Sequence, residues 1–272
     1  MGDILSVENL RSYASRRHRK VLPDWRLGDM MHLKLPVLAY RDFVLSYEDE
    51  EWPFCWHSKR HINAALRLTV TMLMSWQATR RRGGAKLILK RLEPEFPRIV
   101  RKLQKVLQRH SEAWFSSNGV KPGSKTHIRV VRAMATAVEE IAKAVKTKSR
   151  NPAMNPMLGS KILAFFFPDY FPIWDKAWVS AALAVPLGTP TGPDLLPDLQ
   201  GTAARRYAAY VNLMIADTWE TGVAEYKRLE DECVRLCARD GYDAKRVLDQ
   251  FSSLPVLFEV CLLGRAARKG EL

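Results

Sequence analysis

Apolar residues return every three or four positions through most of this 272-residue chain. Only a helix can bury a pattern of that period along one face. The clearest case starts near Ser124, where Ile128, Val131, Met134, Val138, Ile141 and Val145 fall on one side. Arg129, Arg132, Lys143 and Lys146 fall on another, so a buried stripe and a basic stripe share one helix. The same spacing predicts helices over about 58–77, after Pro97, near Thr202, near Gly222, after Asp243 as an N-cap, and over about 255–267. Only the segment HLKLPVLAYRDFVLSY, from His32, alternates weakly enough to allow a short strand or two. Positions 185–201 hold four prolines and three glycines and read as a loop. The expected class is mainly α, with at most a few short strands.

A hydrophobic content of 47% with eight tryptophans is that of a chain with a packed core. No apolar run is long enough for a membrane span, since the longest uncharged stretch, 177–193, is interrupted by Pro186, Gly188 and Pro190. The first twenty residues are charged and contain no apolar signal core, which leads to the expectation of a cytoplasmic protein. Four cysteines are too few for a disulfide framework. Cys233 and Cys237 are i,i+4 neighbours that could share a metal, but EDECVRLCARD offers no companion ligands, so buried thiols are the favoured reading and no metal or other cofactor is expected.

The net charge of +14 is concentrated. Between positions 80 and 150 there are 19 Lys/Arg against 5 Asp/Glu, while the rest of the chain carries 24 of each. A neutral body with one basic region suits a protein that holds a phosphate backbone. Within that region ATRRRGGAK offers Arg81 and Arg82 as phosphate contacts or as a solvated loop, and KTKSRNP offers Lys148 and Arg150 next to a turn.

That turn opens the most unusual stretch, NPMLGSKILAFFFPDYFPIWDKAW, over positions 155–178. Pro152 and Pro156 end the preceding helix, and Gly159 permits a tight turn and a close backbone approach. A short helix from Ser160 to Phe167 is expected, stopped by Pro168, then an extended link, then a second helix beginning at Asp175. This puts Lys161 in a first turn, where exposed N–H groups could hold a phosphate and an amine could act as a nucleophile. Asp175 is either an ordinary N-cap or a carboxylate able to act as a base or stabilise a cation. The residues alone leave both readings open.

The stretch resembles the signature of the helix-hairpin-helix (HhH-GPD) DNA glycosylase superfamily. That hairpin reads L-P-G-V-G-x-K and is followed, after a helix and a loop, by an aspartate that starts another helix. Pro156, Leu158, Gly159 and Lys161 match it, and Asp175 stands where the aspartate is expected. Met157 replaces the first hairpin glycine, and the 14-residue step from Lys161 to Asp175 is shorter than usual. The resemblance implies a two-lobed helical glycosylase-like fold and cleavage of the N-glycosidic bond of a damaged or modified base in DNA. It implies Asp175 as the catalytic carboxylate and Lys161 as a Schiff-base nucleophile able to add a lyase step. Gly159 and Ser160 would contact the DNA backbone. A hypermodified phage base, and with it an antiviral role, is one substrate this allows.

A glycosylase must hold an extruded base among aromatic or apolar groups, for which Trp52, Trp56, Tyr170 and Trp178 are candidates; core packing is the competing reading for each. The expected organisation is a central helical domain over 56–174 with the basic surface and the hairpin, and a second domain from 1–55 plus 175–272. The expected partner is double-stranded DNA with a flipped-out base, bound by a monomer. Two other classes fit the same residues: a non-catalytic nucleic-acid binder using the hairpin as a grip, and a helical scaffold for an acidic protein.

Overall fold

The computed structural model describes residues 4–18, 20–22, 26–32, 56–75, 84–114, 119–145, 156–174, 179, 202–248 and 254–270. Among these residues every regular element is helical. The chain runs through α1 (Val7–Ala14), a 3-10 turn (Arg16–His18), α2 (Leu27–His32), α3 (Lys59–Ser75), α4 (Gly84–Leu92) and α5 (Phe96–Arg109). It continues through α6 (Ser111–Trp114), α7 (Lys125–Ala144), α8 (Met157–Phe166), α9 (Thr202–Arg239), α10 (Ala244–Leu248) and α11 (Leu254–Lys269). The fold is mainly α, as the periodicity predicts. The weakly alternating segment after His32 and the loop over 185–201 lie outside the described residues.

Local chemistry sets the helix ends. Ser124 caps α7 by accepting a hydrogen bond from the His127 N–H at 3.1 Å, and Ser6 caps α1 through the Asn9 N–H at 3.2 Å. The separate helices predicted near Thr202 and near Gly222 meet end to end in α9, where Gly222 takes a non-helical φ of 73° that a side chain would strain. Helices α1, α2, α4 and α6, of 8, 6, 9 and 4 residues, lie outside the predicted set, because so few turns carry too few periodic positions.

Helix α7 is the centre of the packing, touching α4, α5, α8 and α9. Val130, Val131, Met134, Ala135, Val138 and Ile141 are fully buried along it. Two polar contacts lock it to α9. The Glu139 carboxylate accepts the Ala204 N–H at 3.0 Å, supplying negative charge to the exposed N–H end of α9 from another helix. His127 takes the Gly123 N–H on Nδ1, which leaves Nε2 to donate to Asn212 Oδ1 at 2.8 Å. Helices α3 to α8 pack among themselves, while α1 and α2 pack with α9 to α11, and one continuous apolar core runs through both groups.

The two ends of the chain meet in the second group. Asp217 of α9 accepts the Ile4 and Leu5 N–H groups at 3.2 and 2.7 Å, and α1 crosses α11 closely at Gly264. Cys233, Cys237 and Cys261 are free and buried there, and burial pushes the Cys261 thiol up to about 12. Among the described residues no group of three or more His, Cys, Asp and Glu side chains could hold a metal ion, and no helix is long and apolar enough to cross a membrane.

Glu232 ties α1 to α9. Its carboxylate accepts from Arg235 at 2.6 Å and from Arg11 at 2.7 Å, and hydrogen bonds from Arg235 and then Arg11 lower it from an ordinary 4.5 to about 2. A carboxylate depressed in the folded state contributes stability that is complete above its unfolded value and disappears as pH falls through the folded one. Between about pH 5 and about pH 2 the parent chain is therefore expected to lose more stability than Glu232→Gln, read as urea midpoints across that range.

Candidate functional site

Helix α8 starts at Met157, three residues earlier than the sequence predicts, because Pro156 already has helical dihedrals at the N-cap. This corrects the turn expected at Gly159. The residue lies inside the helix, where glycine costs about 1 kcal/mol relative to alanine, so a packing reason is needed. Val138 of α7 supplies it. A Cβ on Gly159 would sit 2.9 Å from the Val138 carbonyl oxygen and 3.2 Å from its Cγ1. The close backbone approach expected of Gly159 is thus made to α7.

Ser160 is completely buried, and its hydroxyl is used twice. It donates to the Met157 carbonyl at 3.1 Å and accepts the Trp174 N–H at 3.0 Å. Lys161, the next residue, is only 9% exposed. Everything from Leu158 to Trp174 is buried. An irregular segment this deep has to satisfy its backbone polar groups within the protein: Phe167, Tyr170 and Phe171 donate to backbone carbonyls, and side chains take others. Trp114 Nε1 donates to the Asp169 carbonyl at 3.0 Å, Tyr207 Oη donates to the Pro172 carbonyl at 2.9 Å, and Ser160 holds Trp174. The extended link is therefore clamped from α6, α9 and α8, and its last described residue immediately precedes Asp175.

The aromatics of this region serve the clamp and the core. Trp56 is 1% exposed, its ring lies 4.7 Å from Phe166, and its Nε1 donates to the Phe166 carbonyl at 3.1 Å. Its backbone N–H donates to Gln104 Oε1 at 2.9 Å. Tyr170 packs 4.9 Å from Trp114, and burial, then the charge of Asp169, pushes its phenol well above the ordinary range. Both base-pocket candidates among the described residues thus sit as core rings. Gly159 and Ser160, expected at a DNA backbone, face the interior for the same reason: α7 covers one and Trp174 occupies the other. Asp175, Lys148, Arg150, Arg81, Arg82, Trp52 and Trp178 lie outside the described residues.

The basic region forms a surface on α5, on α7 and at the turn before α7. Four of its five acids are used internally: Glu93 pairs with Arg67, Glu95 and Glu140 with Arg98, and Glu139 with Lys143 and the start of α9; the fifth, Glu112 on α6, is exposed. Among the described residues, Arg101, Lys105, Arg109, Lys121, Lys125 and Arg129 are exposed and have no carboxylate partner. The sequence signal for this face was the uncompensated charge between positions 80 and 150. Individual members on α5, such as Arg101, Lys105 and Arg109, carried no motif by which to single them out.

No family model, curated protein or solved structure matches the chain.

Proposed function

We propose that this protein is a DNA glycosylase that breaks the N-glycosidic bond of a damaged or modified base in double-stranded DNA. The observation that carries the reading is the 3.0 Å hydrogen bond from the Trp174 N–H to Ser160 Oγ. It joins the residue before Asp175 to the residue before Lys161, across 14 positions of chain, and the clamps on Asp169 and Pro172 hold the same path. A nucleophile and a carboxylate that act on one sugar need such fixed relative placement. The unneutralised face on α5 and α7 supports a polyanion as the partner.

In this mechanism the bond from C1′ to the base nitrogen breaks and the base leaves with a proton. Asp175 stabilises positive charge on the sugar and takes the proton of an attacking water, which forms the new C1′–O bond. When the neutral Lys161 amine attacks in place of water, it gives a proton to Asp175 as the base leaves, the C1′–O4′ bond then opens to a Schiff base, and loss of a C2′ proton expels the 3′ phosphate and cuts the strand. The protein acts as a cytoplasmic monomer, with DNA held on the basic face of α5 and α7.

The test is release of free base, measured by mass spectrometry, from a panel of modified duplexes that includes phage genomes with hypermodified bases. Borohydride added during the reaction is expected to trap a covalent protein–DNA adduct, and Lys161→Ala is expected to abolish it. Base release that persists without an adduct leaves Asp175 and water as the working pair. Release from modified but not unmodified phage DNA identifies an antiviral role, and equal release from both rejects that role.

The exposed, unneutralised cations on α5 and α7 favour a second reading, a nucleic-acid binder without chemistry that grips through that face, since Gly159 and Ser160 of the hairpin face inward. It predicts no base release from any duplex and binding that weakens linearly in log K against log salt.

A further inference from the structure

A groove of about 390 Å³ runs between α5 and α7, away from α8 and its clamped link. Small side chains on α7 create it: Ala133, Thr136 and Ala137 face Leu103 and Val106 of α5 and leave the space between the helices unfilled. The two ends of the groove differ in charge. At one end Glu140 is neutralised by Arg98 at 3.0 Å and Lys102 at 3.5 Å. At the other end, Arg109 and His110 from α5 meet Arg129 and Arg132 from α7. Burial first, and then the charges of Arg129 and Arg109, hold the His110 imidazole below its ordinary value, so both guanidinium groups are felt at that one point. Neither arginine has a carboxylate partner among the described residues, so two exposed guanidinium groups at one end of an apolar trough are free to attract an anion.

We propose that this groove is a binding site for a small amphipathic anion, one phosphate or carboxylate head on an apolar or aryl body. The head is held by Arg109 and Arg129, in the bidentate manner guanidinium groups offer to such anions. The body lies on Leu103, Val106, Ala133 and Ala137. The volume falls in the range of sites for such ligands, about 300–1,000 Å³. Apart from His110 the lining has no ring on which a base could stack, which separates this site from a single-strand nucleic-acid channel. The site does not require the glycosylase reading, although its Arg109 and Arg129 also belong to the basic face that reading assigns to DNA.

The test titrates the full-length protein with 1-naphthyl phosphate, and in parallel arms with 1-naphthoate, 1-naphthol and inorganic phosphate, by isothermal calorimetry. Saturable one-to-one binding of 1-naphthyl phosphate or 1-naphthoate is expected, with 1-naphthol and inorganic phosphate at least about tenfold weaker. The stronger of the two anions shows whether phosphate or carboxylate is the preferred head. Ala133→Leu fills the trough without changing charge, and Arg109→Ala with Arg129→Ala removes the anion contacts. Each is expected to weaken binding by about tenfold or more, with the melting temperature confirming that the variants fold. Absence of saturable binding by either naphthyl anion overturns the proposal, as does binding that both variants leave unchanged. A third result also overturns it: the arginine variant weakens 1-naphthyl phosphate binding while Ala133→Leu leaves it unchanged, since the arginines would then act as open surface charge and not as one end of the groove.

Discussion

Base release by Asp175→Asn is expected to fall by about 10²–10⁴-fold, the range lost when a positioned acid or base is removed, while duplex affinity and melting temperature stay close to those of the parent. Asparagine has nearly the volume of aspartate and caps a helix equally well, so the substitution removes charge and basicity and little else. A merely capping Asp175 therefore predicts no change in rate, and a catalytic one predicts a large change at constant stability. Base release within about twofold of the parent rejects the assignment. Lys161→Ala separates the remaining possibilities, because the adduct and base release need not fall together. Lys161 is 9% exposed within a buried helix, so its replacement also needs a melting measurement. Lys161→Arg, which keeps length and charge but cannot form a Schiff base, is the cleaner comparison: it is expected to fold like the parent and to trap no adduct.

Gly264→Val is expected to be the most damaging single substitution in the packing of the two chain ends. A Cβ at Gly264 would lie 1.9 Å from the Asn9 carbonyl oxygen and 2.9 Å from the Tyr13 nitrogen, both backbone atoms of α1. No rotamer relieves a contact with backbone, so α1 and α11 must separate and release the buried Leu10 and Tyr13. The expected cost is about 3 kcal/mol or more, which for a chain of this size lowers the melting temperature by about 6–12 °C. Gly28 and Gly159 make useful comparisons. A Cβ at Gly28 would meet the Tyr242 ring at 2.1 Å, but that ring belongs to a side chain able to move; at Gly159 the nearest backbone atom is 2.9 Å away. Alanine at either is expected to cost less than alanine at Gly264, and a reversed order would show that α1 does not lie on α11 as described.

Much of the helical architecture was legible because period and punctuation are local. Ser124 marked the start of α7, and the helix candidates near 202 and 222 anticipated the two halves of α9 around Gly222. The basic surface was equally legible, since net charge is a sum over residues and needs no coordinates. The candidate site was legible only as spacing. Pro156, Gly159, Lys161 and Asp175 suggested a hairpin and a catalytic pair, but whether a glycine serves a turn or a helix crossing depends on what lies against it. Trp56 and Tyr170 show the same limit: an aromatic that could line a pocket and one that fills the core have the same local signature.

The sequence by itself determined the helical class, the approximate starts of the longer helices and the uncompensated positive charge, because each follows from neighbours within a few turns. Tertiary structure decided that Gly159 is a contact for Val138, that Ser160 holds Trp174, that Asp169 and Pro172 are clamped from distant helices, and that α5 and α7 leave a groove with one cationic end. Those outcomes join residues 14 to 55 positions apart in chain. They depend on how helices cross, and the crossing is set by the shapes of whole packed faces, which no local stretch of sequence contains.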